Sequence, residues 1–148
     1  MRLNLTRQAD HALRAMVWLV EQPSGTRRKA AEIAQAAVIP RPFAARVLAQ
    51  LNRSGLLAAR AGQDGGYALA RPADQITLLD VIEAMEGPVH AYACLLRDQA
   101  CGTGNDCVLH EAWRASQDAL RAVLSATSLA TVLEPAVTQA SLQQQLRS

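Results

Sequence analysis

Aromatic side chains are scarce in this chain: two Trp, two Tyr and one Phe among 148 residues. Half the residues are nonetheless apolar, so the core must be built from Ala, Leu and Val, a mixture that favours closely packed helices. Lysine is scarcer still. Lys29 is the only one, and arginine carries nearly all the positive charge. The formal net charge of +2 is too small to argue by itself for a polyanionic partner, so the placement of the arginines has to decide. No apolar run is long enough to span a bilayer or act as a secretory signal: the best, Ala12–Val20, contains Arg14 and follows Asp10 and His11. Three cysteines, an odd number, point to a reducing compartment with free thiols. The expectation is a cytoplasmic protein with no membrane partner. No nucleophile–base pair, phosphate loop or paired carboxylates occur in a recognisable context, which makes an enzyme the poorest reading. The length suits one domain, or a small domain with an oligomerisation element.

The cysteines are few but not scattered. Cys94, Cys101 and Cys107 lie seven and six positions apart in CLLRDQACGTGNDCVLH, and His110 follows three residues later. Gly102, Gly104, Asn105 and Asp106 give this backbone freedom to fold back. Thiolates converging from such a loop suit an iron–sulfur cluster or zinc, with an imidazole or carboxylate completing the set. Buried cysteine as a small hydrophobe is the plain alternative, but core cysteines do not gather in a polar Gly/Asp/Asn loop.

Before that loop, Thr6 is an N-cap and residues 7–22 have the periodicity of an amphipathic helix. Residues 28–37 predict a second, shorter helix. Pro42 suits the first turn of a third, which Gly55 ends. Two helices joined by a tight turn, the second rich in Arg and Gln, describe a helix-turn-helix. Two short apolar runs, 56–60 and 67–70, then flank AGQDGG, a hairpin in the position of a wing. Arg41, Arg46, Gln50 and Arg60 are the candidate DNA contacts, with Gly65 and Gly66 letting the wing backbone lie on phosphate. Arg27, Arg28 and Lys29 either touch phosphate or are solvated. His11 and His90 read as ordinary surface residues.

Thr77 caps a fourth helix, with Asp80 three residues on. From about Cys107 a long helix is expected to reach Ala126, with Leu109, Trp113, Ser116, Leu120, Val123 and Thr127 along one seam. The seam is too apolar to leave wet and fits pairing with a second copy. One more turn is expected over 129–134, then a loose tail. The fold class is therefore mainly α with a small β-hairpin. The expected division is a winged helix-turn-helix domain over 1–86, a cysteine loop over 87–106, a dimerisation helix with its following turn over 107–134, and a flexible tail over 135–148.

The segments RLNLTRQADHALRAM, EIAQAAVIPRPFAARVLAQLNRSGLL, ARAGQDGGYALARPADQITLLDVIEAMEG and the loop ending in CVLHEAW together resemble the winged-helix repressors typified by IscR, the iron–sulfur assembly regulator, and NsrR, the nitric-oxide-sensing repressor. The resemblance runs from Met1 to about Glu134. It implies a homodimer on palindromic promoter DNA, with a two-iron or four-iron cluster held by Cys94, Cys101 and Cys107. For the fourth ligand it offers His110, as in IscR-like members, or Asp10 of the partner subunit, as in some NsrR-like members. The first cysteine gap is one residue longer than in the IscR pattern, which leaves cluster type open. Asp64 stands at the wing tip where a cation is frequent. Ala44 and Ala45 stand where other members carry polar base readers. Zinc, or a metal-free thiol switch, would use the same residues.

Overall fold

The computed structural model describes residues 5–88 and 107–133; Cys94, Cys101, His90, most of the cysteine loop and the tail from Glu134 lie outside them. The described residues form α1 (Arg7–Val20), α2 (Ala30–Ala36), α3 (Arg41–Arg53), β1 (Leu57–Arg60), β2 (Gly66–Leu69), a 3-10 turn (Ala73–Gln75), α4 (Leu78–Glu86), α5 (His110–Ala126) and α6 (Leu129–Val132). This is the expected class, helices with one small antiparallel hairpin.

Local chemistry sets the ends of these elements. The Thr6 hydroxyl accepts from the Ala9 N–H at 3.2 Å, and the Thr6 N–H donates to Glu86 Oε1 at 2.7 Å, tying the start of α1 to the end of α4. Thr77 and Asp80 form the expected reciprocal box: the Thr77 N–H donates to the Asp80 carboxylate at 2.9 Å and the Thr77 hydroxyl accepts from the Asp80 N–H at 3.1 Å. At the end of α3, Gly55 (φ 75°) closes a Schellman turn, in which the Leu56 N–H reaches the Leu51 carbonyl and the Gly55 N–H the Asn52 carbonyl.

The turn between α2 and α3 has the same hydrogen-bond pattern without a glycine. The Ile39 N–H reaches the Ala34 carbonyl at 2.8 Å and the Val38 N–H the Gln35 carbonyl at 3.3 Å, with Val38 itself at φ 55°. A β-branched residue in the left-handed region is strained, and here it sits at the elbow that sets the angle between the two helices.

One core holds the domain together. Met16 and Ala12 from α1, Ile33 from α2, Leu48 and Leu51 from α3, and Val81 from α4 are fully buried in it. Leu56 and Leu57 continue that core under the hairpin, whose register pairs Leu57 with Leu69 and Arg60 with Gly66. After α5 the chain returns to the same core. Thr77 and Ser128 form a bridge, the Leu129 N–H donates to the Ile76 carbonyl, and Leu129 is completely buried.

The second helix begins later than the periodicity predicts, at Ala30 and not at Arg28. Arg28 is extended and pairs with Tyr67 through two backbone hydrogen bonds, 2.9 and 2.8 Å, adding a one-residue third strand to the wing. His11 is not a surface residue. Its side chain is 14% exposed and its ring lies 5.9 Å from that of Phe43 on α3, with Nδ1 buried and without a hydrogen-bond partner among the described residues.

Candidate nucleic-acid interface and metal centre

On α3, the buried Ala44, Val47, Leu48 and Leu51 fix which side faces inward. At 100° per residue the outward side then carries Arg46, flanked by Pro42 and Ala45. All three are exposed, as is Arg41 at the helix start. Arg60, at the end of β1, is exposed as well. Among the described residues none of Arg41, Arg46 and Arg60 takes part in an ion pair or side-chain hydrogen bond. Other arginines do. Arg14 meets Asp10 at 2.8 Å, Arg121 meets Glu83 at 2.8 Å, and Arg71 lies 3.9 Å from Asp80. Arg41, Arg46 and Arg60 therefore carry charge without a protein partner among the described residues, on the helix and wing that a polyanion would meet first.

Gln50 is employed within the protein. Its Nε2 donates to the Ala84 carbonyl at 3.1 Å and its Oε1 accepts from Arg53 at 2.6 Å, so it fastens α3 to α4. Gly65 and Gly66 likewise have reasons inside the chain. A Cβ on Gly65 would overlap the Arg60 carbonyl oxygen, and one on Gly66 (φ 132°) would overlap that of Arg28. The wing folds back so closely on itself and on the Arg28 strand that only glycine fits there. Arg27 and Lys29 also grip the hairpin: the Arg27 guanidinium donates to the Ala58 carbonyl at 3.2 Å and Lys29 Nζ to the Gly62 carbonyl at 2.7 Å. The basic run before α2 therefore holds the wing in place, a role that spacing in the sequence did not signal.

Of the sulfur ligands expected, Cys107 is described. It is a free, half-buried thiol just ahead of α5. His110 opens that helix, its side chain 23% exposed, and its N–H donates to the Cys107 carbonyl at 3.0 Å. One tight turn thus carries both groups. Asp10, in the first turn of α1, is half-exposed and engaged by Arg14 through two contacts, 2.8 and 3.2 Å. Among the described residues no three His, Cys, Asp or Glu side chains gather as a metal site; Cys94 and Cys101 lie outside them. The donor set itself fits the group. Three thiols with an imidazole or carboxylate is the chemistry of thiolate-held iron–sulfur or zinc.

Residues 5–135 match the Rrf2 family, described as iron-dependent transcriptional regulators. The chain belongs to the Rrf2 family. One relative, named as an HTH-type transcriptional regulator of Mycobacterium tuberculosis strain H37Rv, is 35% identical over 134 residues, covering 88% of this chain and 81% of that protein. The regulator IscR of Photorhabdus laumondii is 28% identical over 127 residues, covering 86% and 77%. Among solved structures, CymR, the global cysteine regulator of B. subtilis, superposes with a TM-score of 0.73 at 24% identity, covering 88% of this chain and 96% of CymR. IscR of T. potens gives 0.68 at 22% identity, covering 90% and 88%. The Rrf2 architecture is thus the fold of this chain, and DNA-binding transcriptional regulation is its function class. The Mycobacterium tuberculosis and Photorhabdus laumondii relatives are both named as transcriptional regulators. No described helix is long and apolar enough to cross a membrane.

Proposed function

We propose that the protein acts as a homodimer that binds a palindromic site in duplex promoter DNA and represses transcription, its affinity set by a bound iron–sulfur cluster. Arg46 reaches base edges from α3, while Arg41 and Arg60 meet phosphate from the helix start and the wing. The observation that carries this reading is that Arg41, Arg46 and Arg60 on α3 and the wing are exposed with no ion pair or side-chain hydrogen bond among the described residues, whereas Arg14 and Arg121 face carboxylates. Half-sites would lie one or more helical turns apart, roughly 34 Å per turn.

Cys94, Cys101 and Cys107 would hold the cluster, of two or four irons, with His110 as the fourth ligand. His110 is favoured over Asp10 because it shares a turn with Cys107. When bound, the cluster supplies a redox-active, ligand-exchangeable iron centre that answers to nitric oxide, redox state or iron–sulfur supply. The chain's own part is structural. The cysteine loop joins α4 to α5, so fixing Cys107 and His110 fixes the start of the helix that pairs the two subunits.

The DNA assignment is tested by titrating a fluorescent promoter duplex at several salt concentrations. Arg46→Ala should weaken binding by about 5- to 150-fold, the ~1–3 kcal/mol of one specific base contact. Arg60→Ala should weaken it uniformly and lower the salt slope by about one. Wild-type affinity and slope in both variants would refute the interface.

A further inference from the structure

Given that α3 enters the major groove, its outward face restricts what can be read there. The helix holds no acidic residue, so no carboxylate is available to accept from cytosine N4. Its one Gln is bonded to α4 and points away from service as an adenine reader. In its first turns, residues 42–49, the outward side then offers one hydrogen-bonding group, Arg46, next to the exposed Pro42 and Ala45; the exposed Asn52 and Arg53 lie in the last turn, where Arg53 is bonded to Gln50. Ala44 is buried and reads nothing. Phe43, 42% exposed, adds an apolar wall on the flank, its ring packed on His11.

Only one mark in the major groove is apolar, the 5-methyl group of thymine. We propose that α3 reads thymine methyls through Pro42 and Ala45, beside a guanine read by Arg46. Short apolar side chains let the helix lie close to the groove floor, where a methyl group can be removed from water. The two uncompensated arginines, Arg41 and Arg46, supply the charge complementarity that holds it there. Each half-site should therefore contain thymine adjacent to guanine, with weak discrimination elsewhere. This inference rests on the DNA-binding reading above.

The test uses full-length protein, prepared anaerobically with iron. Binding sites are selected from two random duplex pools, one copied with dTTP and one with dUTP. The recovered site is then synthesised with each thymine replaced in turn by deoxyuridine, and affinity is read by fluorescence anisotropy. The expected result is a loss of about fourfold for each contacted methyl, the factor for burying one methyl-sized group. The exposed-site variant Ala45→Asn should lose the thymine–uracil discrimination at one step and keep the guanine preference. A site that tolerates uracil at every position overturns the inference and leaves DNA binding standing. Failure to enrich any site from either pool removes the DNA-binding reading, and the inference with it.

Discussion

Helices α1 and α5 are both amphipathic, and the chain treats them in opposite ways. In its 14 residues α1 buries Ala9, Ala12, Ala15, Met16 and Leu19, whereas α5, with 17, buries none. Arg121 reaches Glu83 on α4 from one side of α5, while Leu120 and Val123 on another are 46% and 64% exposed. Just ahead of the helix, Val108 and Leu109 are 96% and 40% exposed. In proteins most helical stability comes from covering an apolar face. The winged domain buries its own core, whereas α5 has a face that no described residue covers, and in the proposed homodimer the second subunit would cover it.

The difference can be broken most sharply at Val123. Val123→Asp places a charge in the seam and should raise the dimer dissociation constant by at least about 100-fold, from the ~3–5 kcal/mol cost of an unpaired buried charge. Sedimentation velocity reads this, with far-UV circular dichroism expected to keep its helical signal. An unchanged dimer would move the interface off this face. Leu48→Ala asks the opposite question. It opens a cavity in the completed domain and should lower unfolding stability by about 2–5 kcal/mol in urea, with little effect on the association of folded subunits.

Smaller effects probe the backbone of the winged domain. Gly66→Ala forces a Cβ onto the Arg28 carbonyl at positive φ and should lower stability by about 1–3 kcal/mol. Val38→Gly should act in the opposite direction. Relief of about 1–2 kcal/mol of left-handed strain exceeds the added entropy cost of glycine, for a net gain of about 0.5–1 kcal/mol in thermal or urea unfolding. If Val38→Gly destabilises, the valine's contribution lies elsewhere than in the turn.

These positions also mark what the sequence could and could not reveal. Thr6, Thr77 with Asp80, and Gly55 are legible because each acts within a few residues of itself, where spacing alone fixes the partner. Val38 carries no glycine signal, so nothing announced its left-handed turn. Leu129, completely buried in the winged core, and the Arg28 bridge to Tyr67 depend on partners about 40 or more positions away, which periodicity does not report. Gly65 and Gly66 were legible as requirements for glycine, but the neighbouring carbonyls that impose one were not. Gln50 lies on the flank of α3, where composition says polar and only packing says which partner. Of the proposed ligand set, spacing brought out all three cysteines, and the structure adds the shared turn of Cys107 and His110.

The most direct measurement is a promoter titration of anaerobic, iron-replete protein, with visible absorption, iron and acid-labile sulfide determined on the same sample before and after chelator treatment. The expected result is a coloured protein that loses colour, iron and sulfide together in Cys94→Ala, Cys101→Ala and Cys107→Ala. Cluster loss should change DNA affinity by about 5- to 150-fold, the range of a typical allosteric coupling. A colourless protein holding zinc, or one free of iron and sulfide with undiminished affinity for its promoter, would contradict cluster control and leave a winged-helix regulator governed by other means.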